Sequence, residues 1–202
     1  EEKVAQLQAV WAARQDLETT DGAFTDAKAS AILGLGVGQI ARPAENKEQI
    51  TTNKTPEQTV AFVNDAQRWL LENTRLGIPA IFHEEALHGH AARDATSFPQ
   101  AIGLASTWNP ALIEQMYTVT AAEVRRRGGQ QALTPILDVA RDPRWGRIEE
   151  TMGEDPYLIA EMGVAAVRGF QGEGDVIGKD RVIATLKPLA GHGEPSGGMN
   201  IA

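Results

Sequence analysis

Three times along the chain a residue able to cap a helix is followed at once by proline and an amphipathic run: Thr55-Pro56, Asn109-Pro110 and Asp155-Pro156. A short oxygen-bearing side chain accepts orphan N–H groups of the first turn, and proline loses nothing in that turn, where its N–H would go unpaired anyway. The three runs predict helices from Pro56 toward Gly77, from Pro110 to Gly128 and Gly129, and from Pro156 to Gly172. Between them lie aliphatic stretches with strand character: "IPAIF" (78–82), "ALTPILDVA" (132–140) and "RVIATLK" (181–187). A helix is expected at the start of the chain, and a further strand within "AILGLGVGQIAR" (31–42). Strand and helix then alternate, which is the pattern of right-handed βαβ units on a parallel sheet. The unbroken apolar run Val182–Leu186 predicts a strand covered on both faces. Four such strands fit an open doubly wound sheet or half of a (β/α)₈ barrel, and the dense charged and aromatic loops after them favour the barrel.

Composition narrows the function classes. A net charge of −8, with both signs interspersed, gives no basic stripe for a phosphate backbone, so nucleic acid is not an expected partner. With 42% hydrophobic and 23% charged residues the 202-residue chain reads as globular, and no apolar run reaches the roughly 18 residues that span a bilayer. No membrane partner is expected. The absence of cysteine excludes disulfides and thiolate chemistry without placing the protein in a compartment. No signal-like segment opens the chain, and cytoplasmic, periplasmic and secreted locations all stay open. Both ends read as cut, the first inside a helix and the last inside a loop, so a longer parent protein is expected.

Two local patterns invite other functions. "GLGVG" (34–38) lacks the spacing of a dinucleotide fingerprint and reads better as close packing at a strand end. "FHEEALHGHAA" (82–92) gathers His83, His88 and His90 after a strand. His83 and His88 are five apart, about 140° from each other on a helix, whereas zinc-protease ligands need a spacing of four. Hydrogen bonding of loop backbone by these imidazoles is the better account, and no metal site is expected.

"LDVARDPRWGRIEETMGEDP" (137–156) puts Arg147 near Trp145 at a strand's C-terminal end, a fork of donors beside an apolar ring that suits a polyhydroxylated ligand. This stretch, with "HEEALHG" (83–89), "FPQAIGLASTWNPAL" (98–112) and "KPLAGHGEPSGGMN" (187–200), resembles the N-terminal barrel domain of family 3 glycoside hydrolases, the β-glucosidases and β-xylosidases. The resemblance implies an α/β fold, the first half of a TIM-like (β/α)₈ barrel, with residues 1–202 forming the N-terminal portion of that domain, truncated before the nucleophile. It implies hydrolysis of terminal β-linked glucosyl or xylosyl residues by a retaining mechanism in the parent protein, and no cofactor. The partners it implies are an oligosaccharide or glycoside substrate, the remaining barrel strands and a C-terminal domain. Carried over motif by motif, the sugar before the scissile bond is gripped by Glu85, Arg147 and Lys187, while Asp138, His192 and His88 support the loops.

Two departures from the family pattern stand out. Pro188 occupies the place of a histidine, and proline offers no side-chain donor or acceptor. The aspartate nucleophile and glutamate acid/base of the family lie outside this chain, and neither Glu84, Glu85, Glu149 nor Glu150 matches those roles, so the chain alone is expected to be inactive. The competing expectation is a non-catalytic carbohydrate-binding protein descended from the family. A phosphate-binding barrel or Rossmann enzyme is disfavoured because no Gly-rich loop opens a helix.

Overall fold

The structure is a computed structural model describing residues 1–45, 54–189 and 191–200. The described residues form two compact units interleaved in sequence. The first comprises Glu1–Glu84, Ala92–Ala95 and Val124–Gln131, and the second Glu85–Ala91, Thr96–Glu123 and Ala132–Ala202.

In the first unit the strands β1 (Ala9–Val10), β2 (Gln39–Ala41) and β3 (Ile81–Glu84) run parallel, with Ala9 beside Gln39 and Gln39 beside Ile81. The start of β4 (Gln131–Ala132) follows, where the N–H of Gln130 donates to the Phe82 carbonyl at 2.8 Å. Helix α3 (Pro56–Asn73) opens as the sequence predicts: Thr55 accepts from the Gln58 N–H while the Gln58 side chain accepts from the Thr55 N–H, closing a capping box. Its apolar face packs Phe62, Val63, Ala66 and Leu70 against Leu33, Ile40 and Phe82. Beneath this core Arg14, Glu18 and Lys54 are buried together. Both cations bond Glu18, Lys54 at 2.6 Å, and the Arg14 guanidinium also donates to the Glu45 carbonyl at 3.0 Å. Burial pushes the Lys54 ammonium below its ordinary pKa, opposed in part by the Glu18 charge.

The first unit corrects three expectations. The opening helix is only α1 (Glu2–Ala5), and β1 follows within five residues of its end, giving five strands among the described residues where four are expected. The stretch 31–42 is not one strand: α2 (Ala29–Leu33) buries Ala29 and Leu33, four apart on one helical face, and the strand begins only at Gln39. The glycine run between them does make a close approach, since a Cβ at Gly38 would come within 2.1 Å of the Gln6 carbonyl oxygen. Helix α3 also stops short of Gly77, because Thr74 is already extended.

The second unit holds α4 (Ala101–Ala105), most of α5 (Pro110–Arg126) and α6 (Pro156–Gln171), with Asn109 and Asp155 accepting N–H groups of the first turns as their positions predict. The segment after β4 runs parallel to β5 (Ile183–Ala184) and its continuation, where Thr185 donates to Thr134 at 2.8 Å and Leu137 to Lys187 at 2.9 Å. Tyr117 of α5 lies 4.7 Å from Phe170 of α6 between ring centroids, and its hydroxyl donates to the Leu87 carbonyl. The stretch Val182–Leu186 is not covered on both faces. Val182 is fully buried, but Leu186 is 61% exposed, lining an apolar groove with Leu137, Val139, Ile159 and Val164. Burial instead falls off along the stretch, from buried Val182 through half-buried Ile183, Ala184 and Thr185 to exposed Leu186.

Candidate functional site

All six residues singled out from the sequence, Glu85, His88, Asp138, Arg147, Lys187 and His192, belong to the second unit. Strand β3 ends at Glu84, and Glu85 follows it directly. Glu84 is buried and accepts the Ala44 N–H within the first unit, whereas Glu85 begins the second unit and bonds Lys187. The Glu85–Lys187 distance is 3.1 Å, and both side chains are 21% exposed, so the pair is sheltered but open to a ligand. Their separation in sequence is 102 residues. Lys187 is thus not a solitary cation at a strand end: its partner is the other residue expected to hold sugar hydroxyls. The peptide to Pro188 is cis.

Arg147 sits at the start of a 3₁₀ turn, Ile148–Glu150, which returns Glu150 beneath it. The two groups meet fork on fork, Nε to Oε1 and Nη2 to Oε2, each at 2.7 Å. The third nitrogen, Nη1, lies 3.0 Å from Nε2 of His192. Because a guanidinium can only donate, that imidazole nitrogen accepts, and the ring proton resides on Nδ1, which donates to Asp138 Oδ2 at 2.7 Å. The other Asp138 oxygen accepts the Gly193 N–H at 3.0 Å. Only glycine fits there, since a Cβ at Gly193 would stand 2.9 Å from that of Asp138. Trp145, buried, meets the His192 ring edge to face at 4.8 Å and donates from its indole to Asn200. The Arg147 pKa is raised, first by the Glu150 hydrogen bonds and further by the charges of Glu150, Glu85 and Asp138, against an opposing effect of burial.

His88 stands apart from these contacts. Its ring Nδ1 lies 3.1 Å from the Phe98 carbonyl while its own carbonyl accepts the Phe98 N–H at 2.8 Å, so it ties two loop segments together as a support. His83, in the first unit, lies 3.0 Å from Gln39. His88 thus bonds loop backbone, as the sequence suggests, whereas His83 meets a side chain of the neighbouring strand instead.

Glu150 is the residue that the sequence reading leaves without a role. Its signal is its place three residues beyond Arg147, the spacing at which side chains on one turn meet. Every carboxylate in the cluster is held by a donor: Glu85 by Lys187, Glu150 by Arg147, Asp138 by His192 and a backbone N–H. Carboxylates so engaged are acceptors with fixed orientation.

Comparison with known proteins shows what the chain is similar to. The profile described as the Glycosyl hydrolase family 3 N terminal domain matches residues 1–201. A xylan 1,4-beta-xylosidase of Xylanibacter ruminicola is 37% identical over 81% of this chain, and a periplasmic beta-glucosidase of Salmonella typhimurium is 32% identical over 90%. Among solved structures, a β-glucosidase from Erythrobacter marinus superposes with a TM-score of 0.84 at 34% identity, covering 98% of this chain and 25% of its own. The chain spans 21% of the Xylanibacter protein and 25% of the Salmonella protein, a quarter or less of each. The α/β fold with parallel strands is that of the barrel-type domain of these relatives. No helix among the described residues is long and apolar enough to cross a membrane.

Proposed function

We propose, from the premise that the chain belongs to the glycosyl hydrolase family 3 N-terminal domain, that it is the sugar-gripping portion of a β-glycosidase. The full-length protein releases terminal β-linked glucosyl or xylosyl residues from short glycosides, and residues 1–202 supply part of its barrel domain. The observation that carries this reading is the convergence of Glu85 with Lys187 at 3.1 Å, in loops 102 residues apart. Glu85 offers acceptors to adjacent hydroxyls, and Lys187 and Arg147 offer donors, so one pyranose ring is fixed in position and orientation.

Retaining hydrolysis needs a nucleophile and an acid/base about 5 Å apart, and neither role is assigned to a carboxylate of this site. The carboxylates of the site are already committed to cations and N–H groups, which suits holding rather than attack. A second reading, a binding protein without catalysis, is favoured by one observation: Pro188 gives the sugar no hydrogen-bonding side chain beside Lys187.

The experiment is a panel of chromogenic β-glucosides and β-xylosides on the full-length protein, with Glu85→Ala and Lys187→Ala variants. A hydrogen bond to a charged group contributes roughly 1.5 to 3 kcal/mol, so each variant should lose about 10- to 100-fold in kcat/KM with little change in Tm. Wild-type kinetics in both variants would remove them from the site. Sugar binding without turnover in the wild type would establish the second reading.

A further inference from the structure

We infer that Glu150 is a positioning residue for Arg147, and that Asp138 acts on the same guanidinium through His192. The inference rests on the reading of Arg147 as a sugar ligand and adds what makes that ligand effective.

An arginine on a flexible stem offers five N–H groups, and a hydroxyl gains most from a charged donor that already points at it. Here three of the five are spent on orientation. The Glu150 carboxylate takes Nε–H and one N–H of Nη2 at 2.7 Å each, which fixes the plane of the group and its rotation about the stem. His192 takes one N–H of Nη1 at 3.0 Å from the other side. The acceptor state of that imidazole is set by Asp138, which holds its Nδ1 proton at 2.7 Å and is itself held by the Gly193 N–H. Among the described residues this leaves one N–H on each terminal nitrogen, on a side chain that is 37% exposed while its clamp, Glu150, is only 17% exposed. Two donors on one rigid plane remain for a ligand, and the groups that fix the plane are turned inward.

A loop staple with no part in binding would show the same bonds, so the test must separate the two. A double-mutant cycle in the full-length enzyme does so, comparing Arg147→Ala, Glu150→Ala and the double variant by kcat/KM on the best chromogenic glycoside and by Tm. Positioning predicts that Glu150→Ala alone loses about 10- to 100-fold, the cost of a misplaced binding group. It further predicts that Glu150→Ala in the Arg147→Ala background loses nothing more, because there is no guanidinium left to orient. Asp138→Asn should behave in the same non-additive way with a smaller loss. Should Glu150→Ala fail to fold, Glu150→Gln, which keeps the shape and gives up one acceptor oxygen, carries the cycle.

Multiplicative losses in the double variant, or a Glu150 variant that lowers Tm while its folded fraction keeps wild-type kcat/KM, would overturn the inference and leave the sugar-binding reading intact. Full kcat/KM in Arg147→Ala would overturn that reading of Arg147 and the inference with it.

Discussion

In the first unit Arg14, Glu18 and Lys54 are sealed from water, with the Glu18 and Lys54 side chains fully buried, whereas in the second Arg147 and Glu150 remain 37% and 17% exposed. The residue types are nearly the same. In the first cluster one carboxylate oxygen receives both cations, and Lys54 stacks 4.9 Å over the Phe62 ring, so every charge is turned inward. In the second, two oxygens of Glu150 meet two nitrogens of one cation, and donors are left over. Water access separates the uses: sealed charges can only hold the chain to itself, while charges at an open surface, oriented by partners behind them, can hold something else.

The largest expected effect breaks the sealed cluster. Glu18→Gln removes the carboxylate that both buried cations bond, which costs about 3 to 5 kcal/mol and should lower Tm by roughly 6 to 20 °C. Replacing all three together by apolar residues of similar volume should cost far less than this single change. Calorimetry on the two proteins checks the contrast, and a Tm loss in Glu18→Gln no larger than in the triple variant would show that the cluster is not behaving as a buried ion pair. Neither protein should change kcat/KM in its folded state.

A smaller effect tests what the open cluster stands on. Trp145→Phe removes the indole donor to Asn200 at 2.9 Å and part of the ring against which His192 rests. The cost should be about 1 to 2 kcal/mol, since Asn200 is exposed and water replaces the lost partner. Unlike Glu18→Gln, this change should lower kcat/KM along with Tm, because it loosens the imidazole behind Arg147. A Tm loss with unaltered kinetics would place Trp145 in the core alone.

The helices of this contrast were legible in the sequence and the pairings were not. Thr55, Asn109 and Asp155 are local signals, read from two or three neighbouring residues, and each caps a helix in the structure. The strands are two to four residues long, too short for a period of two to assert itself, so the stretch 31–42 hid a helical turn and β1 escaped notice behind the opening helix. Glu85, Arg147 and Lys187 came from resemblance to a family, not from any spacing that fixes their geometry. The bond between Glu85 and Lys187 closes over 102 residues, and that between Lys54 and Glu18 over 36, distances at which pattern carries no information. Glu150, three residues from its partner, was within local reach, but its role depended on where Arg147 points.

The smallest expected effect concerns a third charged pair, which marks the limit of the comparison. Arg144, 71% exposed, folds back on Asp142 with Nε and Nη2 at 3.0 and 2.7 Å, the same bidentate grip that Glu150 has on Arg147 three residues on. Geometry alone would rank the two pairs equal. Among the described residues Arg144 has no second side-chain hydrogen bond like that of Arg147 to His192: its other bond is from its own backbone N–H to Asp142 at 2.9 Å. The Arg144 hydrogen bonds, side chain and then backbone, hold the Asp142 carboxyl at about 2, below its ordinary 3.8. A depressed carboxyl pKa means that the unfolded chain binds the proton first, so whatever stability the pair contributes is complete above 3.8 and is lost as pH falls through about 2. At neutral pH, Asp142→Asn and Arg144→Ala should therefore leave Tm almost where it was, because solvent screens an exposed pair, and should leave kcat/KM unchanged. The wild type and Asp142→Asn should converge further on titration below pH 3. A loss of activity in Arg144→Ala comparable to that in Arg147→Ala would mean that exposure does not distinguish the two arginines, and that the binding surface extends along the loop from residue 147 to residue 144.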